Sequence, residues 1–344
     1  MLAAALLSLV PAPRIVPPYD KRIVYVGRFD RRSPVGPKGA WPAVEVRFSV
    51  KGAGVLVTVD DSGPDWLELQ IDGRPVRAIG LQPGVQTFEA RADRPGNHTY
   101  SFIKRTEPIV GTIQFLQYEA EDGAIEAGTL RKRCVEVIGD SITCGYGVEA
   151  QGPHEGFRAE TENACESYGW MAAKKIGADA ELIAWSGRKI WPDDTIPSIY
   201  DLTNPTDPSS VYDFKGPEPE AVVINLGTND FSNGAPDEAE WTGAYKGFLA
   251  RLRNHYPKAM LYPAIGPMLN DETPAGQHQL STIRNDLTHM VDALRAAGDK
   301  RVRLLEFDTQ RPDDGFGANY HPNLTTQTAM AERLDFVLKR DLKW

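Results

Sequence analysis

Between residues 22 and 120 the chain alternates apolar and polar side chains over short runs. The runs at 44–50, 55–59 and 67–71 each place their apolar groups on one face, as a half-buried strand does. Residues 85–90, 99–103 and 109–118 repeat the pattern, with Gly, Pro, Asp and Asn between the runs. Asp72-Gly73 reads as a hairpin turn. Short strands at this spacing predict a β-sandwich or jelly roll over residues 21–122. The acidic, glycine-containing stretch 119–129 marks the boundary.

The grammar then changes. Apolar runs at 134–138, 181–185, 221–226, 260–265 and 302–306 alternate with helical periodicity. Trp241, Tyr245, Phe248, Leu249 and Leu252 share one helical face, as do Ile283, Leu287, Met290 and Val291; residues 325–342 read as a last helix. Residues 130–344 are therefore expected to form an α/β domain, a flavodoxin-like parallel sheet with helices on both faces. Ligands bind such sheets beyond the carboxyl ends of the strands.

Composition narrows the partners. A formal net charge of −9 argues against nucleic acid, which asks for a basic face. The three cysteines, Cys134, Cys144 and Cys165, have no zinc-site spacing and read as buried small residues. Residues 1–20 form a separate N-terminal segment, signal-like or disordered. Its apolar run, residues 1–10, is too short to span a bilayer and suits a signal peptide. No Lys or Arg precedes that run, and Pro11-Ala12-Pro13 is a poor cleavage site. Export to a secreted or periplasmic location is the expectation, with no membrane partner.

Four strand ends carry chemistry. The first closes on Gly139-Asp140-Ser141, the second on Ser186-Gly187-Arg188, and the third on Gly227-Thr228-Asn229-Asp230. An irregular loop, residues 313–323, follows the fifth and contains His321-Pro322. Together they offer a hydroxyl, a glycine N–H, a carboxamide and an imidazole, the set that serine acyl transfer requires. Gly-Asp-Ser is also an ordinary turn, and Gly187 and Asn229 are ordinary turn residues; their coincidence at strand ends is what favours catalysis. Of six histidines, His321 alone sits in a loop after the last strand and before a proline. His278 and His289 read as helical, His255 as a helix end, and His98 as part of the sandwich; His154, in a loop, is a lesser rival.

These blocks resemble the SGNH (GDSL-type) hydrolase superfamily over residues 132–344. Combined with a jelly roll in front and with Tyr25-Val-Gly-Arg-Phe-Asp30, they most resemble carbohydrate esterase family 2, which removes acetyl groups from xylan and related glycans. The resemblance implies Ser141 as nucleophile and His321 as base, with the Ser141 N–H, the Gly187 N–H and Asn229 as the oxyanion hole. It implies no metal and no cofactor. The superfamily commonly places an Asp three residues before the histidine; here that position is Ala318. The acceptor that orients His321 is then the Asn319 carbonyl, which is favoured, or Asp314 or Asp313.

Aromatic residues crowd the same loops: Tyr146, Trp185, Trp191, Phe231 and Tyr320. Sugar rings stack on such faces, and Trp191, Tyr146 and Tyr320 are the substrate-binding candidates; packing is the competing role. The expected activity is a serine esterase that deacetylates plant cell-wall polysaccharide or oligosaccharide through an acyl-enzyme. The alternatives are an SGNH esterase or lipase acting on another acyl ester, and a carbohydrate-binding protein without catalysis.

Overall fold

The computed structural model describes residues 14–121 and 123–344; the apolar run at residues 1–10 and Pro11 to Pro13 lie outside the described residues. Ten strands come first: β1 (Arg14–Val16), β2 (Val24–Val26), β3 (Phe29–Asp30), β4 (Lys38–Gly39), β5 (Glu45–Asp61), β6 (Trp66–Ile71), β7 (Arg74–Gly80), β8 (Gly84–Lys104), β9 (Ile113–Ala120) and β10 (Ala124–Glu126). They form one antiparallel hydrogen-bonded set ordered β3-β4-β9-β5-β8-β6-β7, with β1 on β9 and with β2 and β10 on β5. Among the described residues the paired strands run from Arg14, inside the expected 1–20 segment, to Glu126, beyond residue 122.

Two pairs of expected strands are fused. Runs 44–50 and 55–59 are one strand, β5, whose register shifts at a bulge between Gly52 and Gly54. Runs 85–90 and 99–103 lie together in β8. The bulge bends the sheet onto itself. Tyr118 pairs with Val57, yet its ring meets Phe48, nine residues earlier on β5, at 5.1 Å between centroids. A straight strand would put those positions about 30 Å apart. At the predicted hairpin, Asp72 and Gly73 both have positive φ, as a tight two-residue turn between β6 and β7 requires. The edge strand β7, mostly exposed and rich in Arg, escapes the apolar pattern.

The second half carries β11 (Arg133–Gly139), β12 (Ala178–Ala184), β13 (Ala221–Asn225), β14 (Met260–Ile265) and β15 (Leu305–Glu306). All pairings are parallel, in the order β12-β11-β13-β14-β15, the flavodoxin-like order. The helices are α1 (Ser141–Cys144), α2 (Tyr168–Lys175), α3 (Ile196–Ile199), α4 (Thr228–Phe231), α5 (Glu238–His255), α6 (Gln279–Ala296) and α7 (Leu324–Leu342). Successive β11 side chains point to opposite faces. Val135 and Val137 belong to the core made with Trp170 of α2 and Leu334 of α7. Ile138 belongs to the core made with Trp241 of α5 and Leu287 of α6. That second core continues without a break into the sandwich, through to Phe48 and Tyr118.

A buried charge also ties the halves together. Arg28, from the loop between β2 and β3, is wholly buried. Its guanidinium pairs with Glu136 of β11 at 3.1 Å and lies over the rings of Tyr200 and Tyr212. The Tyr200 hydroxyl donates to the same carboxylate at 2.6 Å. A buried charge needs this saturation of partners, because desolvation is otherwise prohibitive.

Candidate active site

The site forms where β11, β12 and β13 end. At Gly139 the chain turns so sharply into α1 that a Cβ would lie 2.0 Å from Thr143 Oγ1, so only glycine fits. Asp140 caps α1, its Oδ1 accepting the Ile142 N–H at 3.0 Å. Ser141 is the first helical residue, so its N–H has no partner within the helix. Burial pushes the Asp140 carboxyl up to about 7, with the Asp230 and Glu107 charges adding to the effect and the Ile142 N–H opposing it.

The Ser141 hydroxyl lies 2.8 Å from His321 Nε2, and His321 Nδ1 lies 3.0 Å from the Ala318 carbonyl. A carbonyl can only accept, so Nδ1 carries the hydrogen and Nε2 is free to receive the serine proton. The orienting acceptor is thus the carbonyl of Ala318, not the favoured Asn319. The cause is a tight turn: the His321 N–H also bonds Ala318 O, at 3.0 Å, while Asn319 and Tyr320 both take positive φ. This curls the Ala318 carbonyl over the imidazole. The Asn319 carbonyl also favours the protonated form of the ring, more weakly than that of Ala318. Asp314 pairs with Arg311 at 3.0 Å and Asp313 is exposed; among the described residues neither bonds His321. Burial lowers the His321 pKa, and the two carbonyls only partly offset it.

The loop after β12 holds Gly187 at φ +79, where a side chain would be strained although space around it is open. Asn229 joins the blocks. Its amide donates to Asp140 Oδ2 and to the Arg188 carbonyl, each at 3.1 Å, so it sits between the neighbours of Ser141 and of Gly187. Both its hydrogens are engaged here, so donation to an oxyanion means exchanging or sharing one of them. Asp230, next in sequence, accepts from the Ile190 and Trp191 N–H groups and from Trp241 Nε1, at 2.9–3.0 Å. It fixes the segment that follows Gly187. Asp230 stood in the Gly227–Asp230 block, but the donors it gathers from Ile190, Trp191 and Trp241 were not legible in the sequence.

The aromatic candidates divide. Tyr146 stacks on His321, with centroids 4.2 Å apart, and receives the Asn319 side-chain N–H at 2.8 Å. Tyr320 is half exposed and meets Phe316 and His154 edge-on or tilted. His154 is thereby at the rim, while among the described residues only His321 bonds Ser141. Trp191 and Trp185 are half-buried and pack on the core. Phe231 is a core residue against Trp241 and cannot serve as a platform. Phe157 and Phe316, which the sequence did not single out, complete the rim beside Tyr146 and Tyr320.

A cavity of about 620 Å³ lies elsewhere, at the amino ends of β11 and β12, lined by Tyr25, Tyr212, Cys134 and Glu181 among others. All three cysteines are buried and free. Among the described residues no helix is long and apolar enough to cross a membrane.

Comparison with known proteins agrees with this architecture. Residues 25–127 match the carbohydrate esterase 2 N-terminal family and residues 137–329 the GDSL-like lipase/acylhydrolase family. The cellulase/esterase CelE of Acetivibrio thermocellus is 35% identical over 94% of this chain, which spans only 40% of that protein's length. An acetylxylan esterase/glucomannan deacetylase of Cellvibrio japonicus is 26% identical, over 98% of this chain and 94% of its own. A family two carbohydrate esterase from Clostridium thermocellum, solved with cellohexaose, superposes with a TM-score of 0.89 at 34% identity, covering 94% of this chain and 99% of that one. The chain, a jelly-roll domain followed by a GDSL-type α/β domain, belongs to carbohydrate esterase family 2.

Proposed function

We propose that this chain is a serine esterase that removes O-acetyl groups from plant cell-wall polysaccharide, acetylated xylan or a related glycan, with Ser141 and His321 as its catalytic dyad. The observation that carries this is the 2.8 Å contact between the Ser141 hydroxyl and His321 Nε2, with Nδ1 anchored on a carbonyl. Ser141 Oγ attacks the acetyl carbonyl as its proton passes to Nε2. The tetrahedral oxyanion is met by the N–H groups of Ser141 and Gly187 and by Asn229. The C–O bond to the sugar then breaks, and His321 returns the proton to the leaving sugar oxygen. Water, deprotonated by the same nitrogen, attacks the acyl-enzyme carbonyl; the bond to Ser141 Oγ breaks, His321 returns the proton to Oγ, and acetate leaves.

The substrate class is supported by the family and by the rim. Gly187, Asn319 and Tyr320 are exposed around the dyad, which suits a polymer lying across the site. Tyr146, Tyr320 and Trp191 are the proposed sugar-contacting side chains. Such a polymer is met outside the cytoplasm, in keeping with the apolar run at residues 1–10. The test is acetate release from acetylated xylan and glucomannan. Wild type should release acetate and Ser141→Ala should not. Release of acetate from neither polymer by wild type, with brisk hydrolysis of long-chain acyl esters, would replace this reading with a lipase-type one.

A further inference from the structure

Residues 104–107, at the end of β8, leave the sandwich and enter the α/β domain behind α1. Glu107 is 1% exposed and Glu162 is wholly buried. Glu107 Oε2 accepts the Ser186 N–H at 2.6 Å, and the Glu107 N–H donates to Glu162 Oε2 at 3.0 Å. Cys144 Sγ stands 3.9 Å from the same Glu107 oxygen. Of the nearby cations, Lys104 pairs with Asp65 at 2.7 Å and also donates to the Glu107 main-chain carbonyl at 3.2 Å, while Arg105 pairs with Glu149 and Glu68.

Ligand atoms of Glu107, Glu162 and Cys144 lie within 4.8 Å of one another. Burial raises the pKa of both carboxyls, the Glu107 charge raises that of Glu162 further, and the Lys104 charge opposes the effect at both. What the pair holds in place is the amide immediately before Gly187. At φ +79, Gly187 is in a region that leaves the loop without the usual steric restraint of a side chain. The orientation of its N–H must therefore be imposed by neighbours. On one side Asn229 holds the Arg188 carbonyl. On the other, Glu107 holds the Ser186 N–H.

We propose that Glu107 is a positioning residue for the oxyanion hole: through the Ser186 N–H it aims the Gly187 amide at the reacting carbonyl, so that the sandwich domain completes the active site. This rests on the reading of Ser141, His321 and Gly187 given above. Glu107 touches no reacting atom and acts only through the loop.

The test compares Glu107→Met, which fills the volume without an acceptor, with Glu107→Gln, which keeps one. On acetylated xylan, Glu107→Met should lose roughly 10–100-fold in kcat with KM within about twofold, less than deletion of an oxyanion donor costs, because the amide is displaced and not removed. Glu107→Gln should recover to within about threefold of wild type. If Glu107→Met does not fold, Glu107→Asp, which withdraws the acceptor by one methylene, carries the same expectation. Wild-type kcat in a folded Glu107→Met or Glu107→Asp variant overturns the proposal, as does equal loss of kcat in Glu107→Gln and Glu107→Met. Either result leaves the dyad standing provided Ser141→Ala is inactive; substantial turnover by Ser141→Ala overturns the dyad itself.

Discussion

As the proposed base, His321 must be neutral, and burial already holds its pKa below the ordinary value of 6.5. The sign follows directly. Protonation removes the acceptor for the Ser141 proton, so kcat/KM should stay level as pH falls to the ordinary histidine range and decline only below it. An acid limb with an apparent pKa above 6.5 would contradict the buried, carbonyl-anchored imidazole. Asn229→Ala should lower kcat roughly 10²–10³-fold with little change in KM, as loss of one oxyanion donor does elsewhere. A change confined to KM would make Asn229 a substrate-binding residue. At this scale the sequence was informative where residue type and a place at a strand end coincide. Ser141, His321, Gly187 and Asn229 stand in recognisable blocks at strand ends. The Ala318 carbonyl was out of reach, because every residue has one and only the turn of residues 318–321 selects it.

On the proposed dyad, the elements hold the Ala318 carbonyl where an acid would otherwise stand. The loop before α7 is held by the Asn323 side chain, which donates to the Asp314 carbonyl at 2.7 Å and caps α7 by accepting the Thr326 N–H. The Ala318 N–H bonds Gly147 O at 3.1 Å, tying this loop to the one after α1. Asp313→Ala and Asp314→Ala should therefore each keep kcat within about threefold, against the roughly 10⁴-fold loss that removing an orienting carboxylate causes in a serine protease. A loss near that size in either variant, with unchanged circular dichroism, would restore a triad. Element boundaries were less legible than element types. Glycines at 52 and 54 read as a strand break, whereas β5 continues through them, bent at a bulge. The last strand shrinks to Leu305–Glu306, with Val302 only bridging to Leu261, since the irregular segment at 303–304 interrupts its pairing.

Across the whole molecule a continuous core and a buried ion pair join the two domains. Arg28 of the Tyr25–Asp30 motif serves as their buried anchor. Arg28→Met keeps much of the volume but leaves the Glu136 carboxylate with hydroxyl partners alone. Breaking a buried pair from one side costs about 3–5 kcal/mol, so a marked drop in the urea midpoint is expected. An unchanged midpoint would mean that the anchor contributes nothing net. Such long-range dependence is invisible along the chain: Glu107 and Ser186 lie 79 residues apart, and no local pattern joins them. Ser141 and His321 are expected to act as a unit. Acetate release from acetylated xylan by Ser141→Ala, His321→Ala and the double variant measures this directly. Each single variant should lose at least about 10⁴-fold in kcat, and the double variant should lose little more than either. Substantial turnover by either single variant, or losses that multiply in the double, would contradict it.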